Sequence, residues 1–528
     1  MTPPHEGVLV LESFLNDSWV SGAGVGAPLI NPSDGNLVAT ASSDGLDLRA
    51  ALQYGRDRGG PALRALSFSE RGALLGQIAD ALNGRRDDWY EISRINSGNT
   101  KADAAIDVDG GIGTLKYFAK LASTLGDGRM LSDGPATRLG RDPAFVGVHL
   151  GMPVRGVAIQ INAYNFPSWG LWGKAAVALL AGVPVFAKPA TATAWLSQAM
   201  VKAVVDAGIL PTGALSLLCG GAGDLLDHAR FGDVIAFTGS AETGLKISHS
   251  PRVVSEGVRV NIEADSLNSA VLAPDGAYGT PAFDFFTSEV VKEMVAKSGQ
   301  KCTAIRRVFV PAEQADAAAE AISAGLAAVK VGDPANEGVG MGPLVHMGQR
   351  KTVEEGIAAL TAAGATPVSR AEAGIAGDLA KGAFVSPTLL RMNDGAESAL
   401  VHDLEVFGPV ATLIPYNSPA ELFSLVRRGG GSLVTSVFGN DSDFLVEAAE
   451  ALGDSHGRLM LIDPSVGASH GGHGIVMPMS QHGGPGRAGN GSELGALRGL
   501  WFYLQRSAVQ ASSATLERFG GRYVEAVN

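Results

Sequence analysis

Two residues stand out as candidates for nucleophilic chemistry. Cys302 sits in Gly299-Gln300-Lys301-Cys302-Thr303-Ala304, just ahead of the apolar run Val308-Phe309-Val310, and Glu263 ends Val260-Asn261-Ile262-Glu263, 39 positions upstream. A thiolate adds well to a carbonyl carbon, and a carboxylate can activate the water that later frees the acyl group. A lone cysteine is usually a small buried hydrophobe, so the reading rests on its company. Asn165-Phe166-Pro167, Lys188-Pro189, Phe237-Thr238-Gly239-Ser240 and Glu405-Val406-Phe407-Gly408-Pro409-Val410 follow one another along the chain.

A dinucleotide needs a strand end, a helix N-terminus and a group for the ribose. The usual Gly-x-Gly-x-x-Gly is absent, but Phe237-Thr238-Gly239-Ser240-Ala241-Glu242-Thr243-Gly244 reads as a strand running into a helix. Gly239 permits close backbone approach, and free amides at a helix start favour phosphate. An ordinary strand-to-helix turn would have the same local pattern. His470, His473 and His482 lie among glycines with no cysteine or carboxylate at ligand spacing, so no metal site is expected.

The elements that must position these groups show in the periodicity. Residues 45–125 repeat apolar positions at helical spacing, and 126–146, rich in Gly, Asp and Arg, read as a connecting loop. From 147 short β-branched runs alternate with helical stretches. Strands are expected at 157–161, 183–187, 215–218 and 234–237, with helices at 168–181 and 193–207. A second series follows Cys302, with strands 306–312, 410–415 and 434–438 and helices 313–328, 419–427 and 442–452, and 467–491 reads as a long loop. This alternation predicts an α/β fold with two doubly wound, mainly parallel sheets and a boundary near 270. The 528 residues exceed one hydrophobic core. The net charge of −12 argues against a nucleic-acid partner, and the two cysteines, Cys219 and Cys302, against a disulfide framework. No apolar stretch is long enough to span a bilayer, and Met1-Thr2-Pro3-Pro4-His5-Glu6 lacks the features of a targeting segment, so a cytoplasmic protein is expected.

From near residue 14 to near residue 505 these motifs resemble the aldehyde dehydrogenase superfamily. The resemblance implies a cofactor domain over 1–125 and 150–270, a catalytic domain over 271–490 and a small β oligomerisation element from 126–149 and 491–528. It implies Cys302 as nucleophile, Asn165 and the Cys302 backbone N–H as oxyanion donors, and Glu263 as base. Lys174 and Glu493 match a proton relay, and Glu493 is the alternative base. The dinucleotide would be held by Lys188, Thr191, Thr238, Gly239, Ser240, Gly244, Ala264, Glu405 and Phe407. Many NAD-preferring members carry Glu where this chain has Thr191. A carboxylate there would repel a 2′-phosphate that a hydroxyl beside Lys188 accepts, so NADP is expected over NAD. The apolar end segment Leu500-Trp501-Phe502-Tyr503-Leu504 would pack against a partner in a homodimer.

Several departures are informative. The common Glu-Leu-Gly-Gly-Lys-Ser-Pro is Glu263-Ala264-Asp265-Ser266-Leu267-Asn268-Ser269, and the Asp265 charge is expected to act on Glu263. The wider Glu263–Cys302 spacing implies an insertion around Ala277–Phe286. A tunnel Trp is replaced by Gly173, and Pro-Phe-Gly-Gly by Gln481-His482-Gly483-Gly484, predicting a wide entry in which Arg487 could face an anionic substrate. These segments resemble a branch that oxidises CoA-thioester semialdehydes in aerobic aromatic catabolism, and the end at Asn528 suits a stand-alone enzyme. A general or CoA-acylating aldehyde dehydrogenase, or a non-catalytic cofactor-binding member, remain the alternatives. Acylating relatives generally lack the glutamate, and a binding protein needs neither Cys302 nor Glu263.

Overall fold

The computed structural model describes residues 8–370, 375–519 and 522–525, so the expectation for Met1–Glu6 lies outside them. A first seven-stranded sheet has the order Arg259–Glu263, Val234–Thr238, Ala158–Ile161, Val185–Lys188, Leu215–Leu217, Ser13–Leu15, Ser18–Val20. The first five strands are parallel, and the last two add antiparallel at one edge. Runs such as Val185-Phe186-Ala187 are buried on both faces, which suits a sheet covered by helices on either side. Trp169–Ala181, apolar nearly all round, has eleven buried residues, as a helix between two layers must. The order reverses between Ala158–Ile161 and Val234–Thr238, and a crevice opens at such a switch point beyond the carboxyl ends of the strands.

A second seven-stranded sheet runs Thr366–Arg370, Thr388–Arg391, Val410–Tyr416, Arg307–Pro311, Ser269–Leu272, Ser432–Phe438, His456–Ile462, parallel except for its first strand. The strand Arg259–Glu263 lies at one edge of the first sheet, and after a five-residue linker the chain enters the second sheet as Ser269–Leu272. The helix Met347–Ala362 and the strands Thr366–Arg370 and Thr388–Arg391 went unrecognised in the sequence. The segment 277–286, where an insertion is expected, forms a turn and the first part of the helix Pro281–Val295.

The stretch 126–146 is not simply a loop. Met130–Ser132 and Thr137–Arg138 are short strands beside Phe145–Pro153, which pairs antiparallel with Leu504–Ser512 over nine residues. Three residues of the apolar segment leading into that ribbon are buried in their own chain, while Trp501 and Phe502 are half-buried. Leu500, Tyr503 and Leu504 are 0%, 4% and 2% exposed and belong to the core of the first sheet, so no partner is needed to explain them.

One buried side chain ties the second sheet together. Arg307, 1% exposed, donates to the Leu267 carbonyl from Nη2 at 3.0 Å, to Leu425 O at 3.1 Å and to Val426 O at 2.9 Å, and Nη1 lies 3.0 Å from His402 Nδ1. It caps the last turn of the helix Pro419–Arg427 and clamps the linker between the sheets. Burial pushes its pKa down to about 9, a measure of how little water reaches it. Arg307→Ala leaves these carbonyls without donors and should cost more than about 3 kcal/mol. Thermal unfolding followed by circular dichroism should show a lowered midpoint.

Candidate active site

Cys302 stands where two clefts meet. One is lined by Phe166, Trp169, Gly173, Lys174, Val476, His482 and Glu493. The other, which is larger, is lined by Lys188, Thr191, Gly239, Ser240, Ala264, Glu405 and Phe407. Ala163, Asn165, Thr238, Glu263 and Cys302 line both. Asn165, Lys188, Thr238 and Glu263 lie at or just beyond carboxyl ends of strands in the first sheet, whereas Cys302 and Glu405 precede amino ends in the second.

The cysteine loop is held by its backbone. Lys297, Ser298 and Gly299 all have φ between 51° and 67°, a run that only dense fixation sustains. Asp103 Oδ1 accepts from Lys297 N at 2.7 Å, and Ser298 Oγ donates to Gly342 O at 2.8 Å. A Cβ on Gly299 would sit 2.1 Å from the Gly408 carbonyl, so glycine is required there. Asn268 Nδ2 donates to the carbonyls of Cys302 and Ala304 at 2.8 and 3.0 Å. Arg306 donates to Gly299, Lys301 and Gly408 carbonyls. Lys301, beside the cysteine, is paired with Glu293 at 2.7 Å, both 1% exposed. Neither Asn268 nor Arg306 was singled out in the sequence, because the carbonyls they hold are brought together only by the fold.

Glu263 is 3% exposed and well partnered on one side. Thr238 Oγ1 donates to its Oε2 at 3.3 Å and accepts from Lys174 Nζ at 2.8 Å. Lys174 pairs with Glu493 at 3.4 Å, and Asn261 Nδ2 donates to Glu493 at 3.0 Å. His482 Nε2 lies 3.0 Å from Glu263 Oε1, at ion-pair distance but off the line of a hydrogen bond. Burial opposes the charge on Glu263, yet the His482 ring and then Lys174 outweigh it and hold the carboxyl down to about 2. The Cys302 thiol goes the other way. Burial, then the Glu263 charge, raises it well above its ordinary value, although the residue still opens onto the clefts. Burial also raises Glu493.

His482 is the site residue that sequence reasoning missed. Glu263, Cys302 and His482 offer ligand-type atoms all within 4.8 Å of one another, so the argument that no cysteine or carboxylate accompanies the histidines fails for His482. Its neighbour in sequence, His473, is buried against Ser436 Oγ at 2.7 Å. The signal was a histidine exchanged into a glycine-rich segment that lies near Glu493 in sequence.

The larger cleft collects every expected cofactor residue but one. Gly244 does not line it. It sits a turn inside the helix Ala241–Ser248, where a Cβ would meet Ile262 at 3.0 Å, so its smallness serves helix–strand packing. Asp265 acts elsewhere than expected. Its carboxylate accepts from Ala241 N at 3.0 Å, at the head of that helix, and it raises Glu405 rather than Glu263. Burial first, against Arg306 at 3.4 Å, pushes Glu405 up to about 7. Arg487 lines this larger cleft, not the smaller one, and donates to the Asp403 carbonyl at 2.7 Å. The wide entry is also corrected. Trp169 covers Gly173, where a Cβ would lie 3.3 Å from its ring, and it packs edge-on against Phe166. An aromatic wall thus comes from four residues earlier.

A family model described as the aldehyde dehydrogenase family matches residues 19–509. The chain belongs to that family. The 3,4-dehydroadipyl-CoA semialdehyde dehydrogenase of Aromatoleum evansii is 50% identical over 480 residues, covering 90% of this chain and 93% of that protein. A glutarate-semialdehyde dehydrogenase of Pseudomonas putida is 27% identical over 446 residues, 84% of this chain and 88% of the other. The NAD+ complex of an aldehyde dehydrogenase from Bacillus cereus superposes with a TM-score of 0.83 at 22% identity, covering 97% and 99% of the two chains. This aldehyde dehydrogenase is therefore an oxidoreductase with the fold expected from its sequence. Among the described residues no helix is long and apolar enough to cross a membrane.

The electrostatics of the pair can be read from thiol reactivity. In the free protein, iodoacetamide should modify Cys302 slowly at neutral pH, and the rate should still be rising at pH values above the ordinary thiol range. Glu263→Gln removes the adjacent negative charge and should speed the reaction at pH 8 by roughly tenfold. Peptide mass mapping separates Cys302 from the fully buried Cys219.

Proposed function

We propose that this aldehyde dehydrogenase oxidises a CoA-linked semialdehyde to the free acid with NADP, using Cys302 as nucleophile and Glu263 as base. The observation that carries the reading is the position of Cys302 and Glu263 in both clefts at once. The substrate class is supported by the name and 50% identity of the Aromatoleum evansii relative.

The larger cleft fits a dinucleotide. Asn162, which lines it, has both side-chain polar atoms buried without a partner, and such atoms call for a ligand. Lys188 Nζ donates to Pro189 O at 3.0 Å and keeps further donors for a ribose or its phosphate. Thr191 Oγ1 donates to Gly220 O at 2.8 Å, and its side chain brings no negative charge to this end of the cleft, which supports NADP over NAD. Thr238, Gly239, Ser240 and Ala264 would line the pyrophosphate path, and Glu405 and Phe407 the nicotinamide end. A bound nicotinamide supplies the hydride acceptor.

In the smaller cleft, Cys302 sulfur adds to the aldehyde carbon, and the Asn165 amide donates to the oxyanion that forms. Losing such a donor typically costs about 3 kcal/mol of barrier. Oxidation leaves a thioester on Cys302, and Glu263 takes a proton from the water that cleaves it. A base held beside the thiol in this way supports hydrolysis over transfer to CoA. The ribbon of Phe145–Pro153 and Leu504–Ser512, with Phe145 44% exposed, is the surface we assign to a homodimer contact. In this reading 1–125 with 150–270 serves the cofactor, 271–490 the chemistry and 126–149 with 491–528 assembly.

Steady-state reduction of NADP and NAD should be compared on a CoA-linked semialdehyde and the matched free semialdehyde, without added CoA. NADPH should form fast only with the CoA-linked compound. Equal rates on both aldehydes would leave a general aldehyde dehydrogenase. Thr191→Glu places a carboxylate at the ribose and should weaken NADP against NAD by at least about 1.4 kcal/mol, a tenfold shift in the Kd ratio by calorimetry.

A further inference from the structure

The two oxygens of Glu263 face different surroundings. On the Oε2 side, the Thr238 hydroxyl donates to the carboxylate and itself accepts from Lys174. The Lys174–Thr238 chain of donors on that side runs towards Glu263. Such donors steady a negative charge but cannot take a proton from it without turning round. Oε1 is buried and has no aligned donor, and the His482 ring stands 3.0 Å away, on the side shared with Cys302.

His482 is fixed in place. Its backbone pairs with Glu493. The next residue, Gly483, has φ +134° and lies where a Cβ would be 1.9 Å from the Gly491 carbonyl, so the chain can pass only as glycine. The side chain is 12% exposed, which gives the ring an outlet to water. The charged and titratable groups that face it are Glu263 from its strand end, Cys302 from the nucleophile loop, Lys174 from the helix Trp169–Ala181 and Glu493 from the paired strand.

We propose that His482 is a positioning residue that accepts from Glu263 the proton of the hydrolytic water. This rests on the reading of Cys302 as the acylated nucleophile and Glu263 as its base. In the step, the water O–H bond breaks and its oxygen bonds to the thioester carbonyl carbon. The proton passes to Glu263 Oε1 and on to His482 Nε2. The tetrahedral adduct then expels the Cys302 sulfur, giving the free acid, and the proton on His482 returns to the thiolate or leaves to water. The ring can take this proton only while neutral, the state in which it no longer holds the Glu263 charge down, and imidazole is the side chain suited to hold a proton near neutral pH.

Acetylation of Cys302 by p-nitrophenyl acetate, with no dinucleotide, isolates this half of the chemistry. Release of p-nitrophenolate reports formation of the thioester, and intact mass reports the acetyl group until water removes it. His482→Gln keeps an N–H near Glu263 but cannot take up a proton. Its deacetylation should slow about 100-fold, far more than its acetylation. Any inflection that the ring contributes to the deacetylation pH profile should vanish. His482→Phe, which suits an apolar wall, should behave alike, with unfolding midpoints checking that both variants fold. Deacetylation at the wild-type rate and pH dependence in both would overturn the proposal. Loss of acetylation in both would also overturn it, placing the ring at the thiol instead. Glu263→Gln separates the underlying reading. If it deacetylates normally, Glu263 is not the base and that reading falls, whatever the His482 variants show.

Discussion

A carboxylate buried next to a thiol is the constraint around which this site is built. Taking the Glu263 charge out of water costs several kcal/mol unless donors and opposite charge replace the solvent. Thr238, Lys174 and His482 supply them, and each needs support in turn. Lys174 is 6% exposed and is balanced by Glu493, which Asn261 anchors. The network therefore reaches from the helix Trp169–Ala181 across the first sheet to the paired strands Gln481–His482 and Glu493–Leu494. Burial and then the same charge raise the thiol beside it.

The two sheets meet in a way that brings these groups together. Strands of the first deliver Asn165, Thr238 and Glu263 from their carboxyl ends, and loops ahead of strands in the second deliver Cys302 and Glu405. The linker 264–268 joins the two sets directly. Asn268 grips the Cys302 carbonyl, Ser266 N donates to Glu405 at 3.1 Å, and the Leu267 carbonyl is held by Arg307. A shift of the second sheet against the first would thus disturb the thiol, the carboxylate and the far wall of the larger cleft at the same time. This is why a buried arginine well away from the reacting atoms matters to the site.

Much of this was readable in the chain. Doubly wound α/β architecture follows from apolar runs such as Val185-Phe186-Ala187 alternating with amphipathic stretches, because burial on two faces leaves only such sequences. The placing of Lys188, Thr191, Ser240, Glu405 and Phe407 along one cleft was expected from their motifs. What failed depended on groups distant in sequence. The helix Met347–Ala362 has only three buried residues, so its apolar face is too thin to stand out. Gly244 looked like a phosphate glycine but is spaced for packing, Asp265 was assigned to the nearer of two acidic neighbours, and Trp169 filled the room that Gly173 seemed to open.

The sequence by itself determined the family, the sheet-and-helix pattern and the residue types of the chemistry, because periodicity and short motifs are local properties of the chain. Only the tertiary structure decided which side chains share a desolvated volume. His482 shows the difference. In sequence it is one histidine among glycines, and in space it faces the free oxygen of Glu263 beside Cys302. Electrostatic coupling falls with distance and grows as water is excluded, and both are set by the packing of residues more than two hundred positions apart.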